Sequence, residues 1–191
     1  MWSIGIDPGF VETGVVLIRG REVEDYRTLR CPAGDTALKR AEALATEVMT
    51  IIEGWITDHE ILKLDVAIET PIYKHNAHSF ELQWRLVQEI ESMLGVMSLV
   101  VDELWLTEVP PATSKKKATG KGGATKLEIA QASPFGWHDS WNDHTWHTLA
   151  DAWAHSLSTW GECKRCTRIN ISEWSLPTVK IISGGPDERE T

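Results

Sequence analysis

Trp2-Ser3-Ile4-Gly5-Ile6-Asp7-Pro8-Gly9 is the stretch on which the fold turns. It is a short apolar run that ends at Asp7, on a turn with proline at the second turn position and glycine at the next. Gly14 to Ile18 resumes as an apolar, β-branched run, and Glu22 to Leu29 is a third strand candidate. Three strands in succession predict an antiparallel meander. Gly5 and Gly9 remove side chains on either side of Asp7, so a ligand or another backbone can come close. Taken alone, an aspartate at a strand end is more often a turn former or helix cap than a catalyst.

Outward from the meander, Asp35 can cap a helix whose apolar positions Leu38, Ala41, Leu44, Val48, Ile51, Ile52 and Trp55 follow the helical period. Leu64 to Ile68 reads as a short buried strand, closed by Glu69-Thr70-Pro71. A second helix is expected from near Ser79 to about Val101, and a strand from Leu104 to Val109 that stops at Pro110-Pro111. A Lys- and Gly-rich loop follows, then a short helix near Ala124 and a last helix from about Asp143 to Trp160. This order predicts an α/β fold with a mixed central sheet and flanking helices. Residues 1–160 form the expected domain. Residues 161–191 read as an extension whose end, after Gly184-Gly185-Pro186, is expected to be disordered.

The 191 residues suit one domain with a real core, and 42% hydrophobic with 25% charged residues is a soluble composition. No run of about 18 uninterrupted apolar residues predicts a membrane span. Met1-Trp2-Ser3-Ile4 has no basic leader, and three cysteines make no disulfide framework, so a cytoplasmic setting is expected. The single Cys163/Cys166 pair has no second pair nearby, which argues against zinc or redox chemistry. The ten tryptophans read mostly as packing. A net charge of −9 argues mildly against a nucleic-acid partner, but placement matters more than the sum. Between Glu108 and Glu128 there is no acid, while Lys115, Lys116, Lys117, Lys121 and Lys126 all fall there.

Glu69 raises the standing of Asp7. Two buried strands that each deliver a carboxylate at the same kind of exit are hard to explain structurally, because buried carboxylates are costly unless paired or metal-bound. On the last helix, Trp146, Leu149, Ala150, Trp153, Ala154, Leu157 and Trp160 form a core stripe. His147 and Asp151, one turn apart on the adjoining face, can address a common point. His144 and His155 read as surface histidines of an ordinary amphipathic helix. Asp7, Glu69 and Asp151 with His147 suit Mg²⁺, or Mn²⁺ as substitute, since hard cations prefer oxygen with at most some imidazole. Such a set can hold two ions roughly 4 Å apart for phosphodiester hydrolysis, and His147 could ligate or manage a proton.

These residues resemble the RuvC family of Holliday junction resolvases. The likeness runs through Gly5-Ile6-Asp7-Pro8-Gly9 with Thr13-Gly14, then Ala67-Ile68-Glu69, then Ala150-Asp151-Ala152-Trp153-Ala154. Lys74-His75-Asn76-Ala77-His78-Ser79 resembles a further family segment, and Thr113 to Lys126 resembles its basic glycine loop. The resemblance covers about residues 2–158. It implies an RNase H-like fold and a Mg²⁺-dependent crossover junction endodeoxyribonuclease that acts as a homodimer, with Asp7, Glu69 and Asp151 as catalytic carboxylates. The family places a fourth ligand, Asp or His, three residues before the last Asp. Here that position is Thr148, so either His147 takes over from the neighbouring turn or the helix register differs.

The resemblance also implies a junction-probing loop after Glu69, with Ile72 or Tyr73 as wedge and Lys74 and Asn76 beside it. Lys115 and Lys126 match basic positions, and with Lys116, Lys117 and Lys121 they suit sequence-tolerant phosphate contacts. Left to itself, Tyr73 reads as a partly buried loop residue. Other readings are a nuclease for RNA–DNA hybrids or flaps, or a non-catalytic branched-DNA-binding protein. A sugar-kinase or actin-like ATPase needs two such domains and a nucleotide motif, which this chain lacks.

Overall fold

The computed structural model describes residues 1–31, 36–73, 76–135, 142–159 and 166–173. Strands β1 (Trp2–Asp7), β2 (Glu12–Arg19) and β3 (Glu22–Arg30) form the expected antiparallel meander. Its first turn is tight. Gly9 N donates to Asp7 O, Thr13 Oγ1 donates to Gly9 O at 2.8 Å, and a Cβ on Gly9 would stand 2.3 Å from Glu12 O.

Helix α1 (Ala37–Asp58) is capped by Thr36, whose side chain accepts from Lys39 N. Asp35, the expected cap, lies outside the described residues. The helix buries Ala41, Leu44, Val48, Ile52 and Trp55 as the period predicts, while Leu38 faces solvent. Strand β4 (Lys63–Glu69) pairs parallel with β1, and β5 (Glu103–Val109) pairs parallel with β4. Between them runs α2 (Ala77–Met97), which starts earlier than expected because Asn76 Oδ1 accepts from Ser79 N and fixes the first turn.

The expected basic loop is largely helical. Pro111 occupies the first turn of α3 (Pro111–Thr119), where its fixed φ suits a helix start. Gly120 closes the helix at φ 80°, in the left-handed region. Lys115, Lys116 and Lys117 therefore stand on a helix, and only Lys121 lies in the short connection to α4 (Lys126–Ala132). Helix α5 (Asp143–Ser156) is capped by Asn142 and runs into a 3-10 turn, Leu157–Thr159.

A short sixth strand, β6 (Thr167–Asn170), comes from the segment read as an extension and pairs antiparallel with β5. Arg168 Nη2 donates to the buried Asp65 Oδ1 at 2.6 Å, and Ile171 is buried in the main core. Cys31 is a free thiol and Cys166 is disulfide-bonded. The sheet order is β3-β2-β1-β4-β5-β6. Strand alternation sorts its two faces. Ile4, Ile6, Val66, Ile68, Leu104 and Leu106 pack with α1 and α2, whereas Val16 and Ile18 pack with α4 and α5. Ser3, Gly5 and Asp7 alternate with the first set, so they point toward α5.

Candidate metal centre

Asp7 and Glu69 end neighbouring parallel strands. Ile6 pairs with Ile68, so the next residue on each strand exits at the same edge and on the same face of the sheet. Helix α5 then brings its side chains to that edge. It can lie this close because β1 offers no side chain in the way: a Cβ on Gly5 would stand 1.9 Å from Ala152 O and 2.6 Å from Ser156 N. Gly14 does the same on β2, where a Cβ would stand 2.7 Å from Thr148 O. The glycines flanking Asp7 thus admit backbone, as the sequence suggested they could.

One ligand atom each from Asp7, Glu69 and His155 lie within 4.8 Å of one another. His155 is 1% exposed, and its Nε2 is 3.2 Å from Glu69 Oε2. That approach is off the line of a directed hydrogen bond, and Nδ1 has no partner among the described residues. The expectation of a surface histidine is therefore corrected. The face of α5 that adjoins its apolar stripe is covered by the sheet, not by water.

Asp151, one turn before His155, borders the group, and Lys126 Nζ is 3.6 Å from its Oδ2. His147 lies outside the group. Its ring stacks on Trp146 with centroids 5.8 Å apart, and its buried Nδ1 has no hydrogen bond among the described residues. Thr148 is buried against Gly14 at the position where the resembled family has its fourth ligand. His144 faces away from the group, with Nδ1 2.7 Å from Glu12 Oε2. Glu12 is itself buried and accepts from Thr145 Oγ1 at 2.8 Å, which ties the first turn of α5 to the start of β2.

The electrostatics report an excess of negative charge. Burial, then the Glu69 and Asp151 carboxylates, push the Asp7 carboxyl up to about 8. Burial also raises Asp151; the charges of His155 and Lys126 pull the other way, and Glu69 adds to the rise. Burial disfavours a charged His155, but its contact with Glu69 and the charges of Glu69, Asp7 and Asp151 outweigh this and raise its pKa. Crowded carboxylates beside an imidazole with an unpartnered nitrogen fit a divalent cation, which would satisfy all of them together.

Of the residues expected to meet DNA, Ile72 and Asn76 lie beside Glu69 and Lys126 lies beside Asp151. Tyr73 is 60% exposed, and its ring meets Phe80 edge-on at 5.9 Å; Phe80 in turn stacks on Trp84 at 6.1 Å. The expectation of a partly buried Tyr73 is thus corrected: the residue is mostly exposed, with Phe80 packed edge-on against its ring. Trp84 is also exposed, so the tryptophans are not all packing. A cavity of about 190 Å³ beside Glu69 is lined by Ile72, Asn76, Ser79, Phe80 and Gln83. Lys74 lies outside the described residues. Lys115 Nζ donates to Ala124 O, holding α3 to the segment before α4, and Lys121 is 3.6 Å from Glu128. Lys116 is exposed.

The mixed six-stranded sheet with flanking helices matches the RNase H-like fold of known RuvC structures. Two solved structures with this architecture are of RuvC from Thermus thermophilus. One is described as being in complex with a Holliday junction substrate; it is 13% identical, covers 83% of this chain and 91% of its own, and has a TM-score of 0.55. The other is 17% identical, covers 83% and 92%, and has a TM-score of 0.54. At these identities the likeness is one of fold. No family model matches the chain, and no curated protein matches it in sequence.

Proposed function

We propose that this chain is a divalent-cation-dependent endonuclease that resolves four-way DNA junctions, acting as a homodimer that makes paired, symmetric nicks. The observation that carries the reading is the convergence of Asp7 and Glu69 with α5 at one edge of a RuvC-type sheet. A neighbour in fold is described as bound to a Holliday junction, which supports the same substrate class here. A two-fold enzyme also suits paired cuts across a two-fold junction.

Asp7, Glu69 and Asp151 would hold Mg²⁺ or Mn²⁺, with two ions per site the expected complement. Bound there, the ions would lower the pKa of an attacking water and stabilise the departing phosphodiester oxygen. Lys126, beside Asp151, offsets part of the negative charge and gives the scissile phosphate a cation to approach. Lys115, Lys116 and Lys117 on α3, with Lys121 in the connection after it, would extend the basic surface. Tyr73, with Ile72 beside it, is exposed and would stack on an unpaired base at the junction centre. Asn76 uses its side-chain oxygen to cap α2, which leaves its amide nitrogen for a phosphate. His147 is the imidazole read from the sequence, one turn before Asp151.

The test is cleavage of a labelled, immobile four-way junction with Mg²⁺ or Mn²⁺, beside a matched linear duplex and an RNA–DNA hybrid. Paired nicks confined to the junction are expected. Cutting of the hybrid or a flap instead would move the activity to another RNase H-like nuclease. Binding without any cutting would make the chain a junction-binding protein.

A further inference from the structure

We propose that His155 supplies a nitrogen ligand to the cation held by Asp7 and Glu69, so that the site prefers Mn²⁺ to Mg²⁺. The proposal rests on the metal-site reading above. It adds a residue that the sequence placed on the surface, and it assigns the metal preference.

Three observations lead to it. The ligand atoms of Asp7, Glu69 and His155 lie within 4.8 Å of one another, and His155 Nε2 is 3.2 Å from Glu69 Oε2. Neighbouring ligands of an octahedral ion with bonds of about 2.1 Å stand about 3 Å apart, and opposite ones about 4.2 Å. The His155–Glu69 separation of 3.2 Å is that of neighbouring ligands, and the 4.8 Å bound on the whole group exceeds the opposite-ligand distance by only a small adjustment of side chains. Second, His155 is 1% exposed and makes no directed hydrogen bond through either ring nitrogen among the described residues. The ring keeps its charge contact with Glu69, but a buried polar ring without a directed hydrogen bond recovers only part of its lost hydration. An ion within the group would meet that need.

Third, the other histidines of α5 are engaged elsewhere. His144 faces Glu12, and His147 stacks on Trp146 outside the group. His155 reaches the site because Gly5 lets α5 rest directly on β1. Its position on the helix is then set by backbone contact, with Ser156 N against Gly5.

The nitrogen decides the metal preference. Mg²⁺ is hard and keeps oxygen ligands and water, whereas imidazole suits transition metals, and Mn²⁺ accepts a mixed oxygen and nitrogen set. The rival role for His155 is a fixed positive charge facing the carboxylates, with the cation bound by oxygen alone.

Pulsed electron paramagnetic resonance of the full chain with one equivalent of Mn²⁺ separates these roles, with binding measured in parallel by calorimetry. The expected result is a nitrogen coupling to bound Mn²⁺ in the native protein. It is kept in His147→Ala and lost in His155→Asn. Mn²⁺ affinity should fall at least tenfold in His155→Asn, and Mg²⁺ affinity by less than about threefold. His155→Gln serves if the asparagine variant does not fold, and the native spectrum stands without either variant. Bound Mn²⁺ with no nitrogen coupling would overturn the proposal and leave the carboxylate site intact, provided Asp7→Asn removes binding. Coupling lost in His147→Ala instead would overturn it in favour of His147. Failure of the native chain to bind Mn²⁺ at all would remove this proposal and the metal-site reading together.

Discussion

At the scale of single residues, Asp7 stands where function and stability oppose each other. Its carboxyl is pushed up to about 8 by burial and by the neighbouring Glu69 and Asp151 carboxylates. Asp7→Asn keeps the shape and removes the charge, so it should abolish cutting while leaving junction binding nearly unchanged. At neutral pH the same variant should melt a few degrees higher than the native chain when both are free of metal, because folding forces the Asp7 carboxyl to take up a proton that the unfolded chain does not hold, and asparagine removes that cost. Junction cleavage, gel-shift binding and a melting curve in chelator check these together. A metal-free variant that melts lower would mean that Asp7 is held by attraction, against the charge balance described above.

Glu91 gives a pH test away from the site. Burial, then the charge of Glu108, raises its carboxyl from the usual value to about 7. A group with a raised folded pKa binds its proton more tightly when folded. Its contribution is complete below the ordinary carboxylate range and is lost as pH rises through about 7. Glu91→Gln should therefore leave the denaturation midpoint unchanged near pH 4 and raise it near pH 8. Chemical denaturation at both pH values is the measurement, and an equal effect at both would exclude titration as the cause.

At the scale of elements, the decisive contact is helix α5 lying on β1. No metal ligand is altered in Gly5→Ala, yet the added carbon would meet Ala152 O at 1.9 Å, which requires the helix to shift. Overpacking of this kind costs about 1–3 kcal/mol, occasionally more. The shift would also carry Asp151 and His155 away from Asp7 and Glu69. Gly5→Ala should lower both stability and Mn²⁺ affinity. Gly54, on the exposed side of α1 with open space around it, is the contrast: Gly54→Ala should stabilise by about 0.5–1 kcal/mol and leave metal binding unchanged. Denaturation and calorimetry on the pair check this. At the other end of the sheet, β6 covers the β5 edge, and Arg168 neutralises the buried Asp65 while lying over Trp105.

For the whole molecule, the distribution of charge matters more than the total. The chain carries −9 overall, yet α3, the turn after it and the start of α4 carry five lysines with no acid before Glu128. Among them, Lys126 stands closest to the carboxylates, and Lys116 is exposed on α3. Lys116→Ala with Lys126→Ala should weaken junction binding and flatten its dependence on salt by about two phosphate contacts. Binding measured across a salt series decides it, and an unchanged slope would remove this face from the interface. No helix among the described residues is long and apolar enough to cross a membrane.

Much of this molecule was legible from local pattern. The meander, the α1 stripe, the buried β4 strand and the acids at two strand ends all follow from periodicity and turn chemistry, which act over a few residues. The order of these elements was enough to predict the mixed sheet with flanking helices, and the motif resemblance added the RNase H-like architecture. Local chemistry could also have placed the α3 helix, since Pro111 at its start and Gly120 at its end are both visible in the chain. The lysines between them drew attention to the loop instead.

Which histidine meets the carboxylates was decided only in three dimensions. His147 and His155 are each one turn from Asp151, on opposite sides along the helix, and helical periodicity treats them alike. The choice depends on how far α5 slides along β1. That is set by the fit of Ala152 and Ser156 backbone against the bare Cα of Gly5, a contact between residues about 150 positions apart in sequence. The chain alone determined that carboxylates would gather at the sheet edge. Packing determined that His155, and not His147, stands among them.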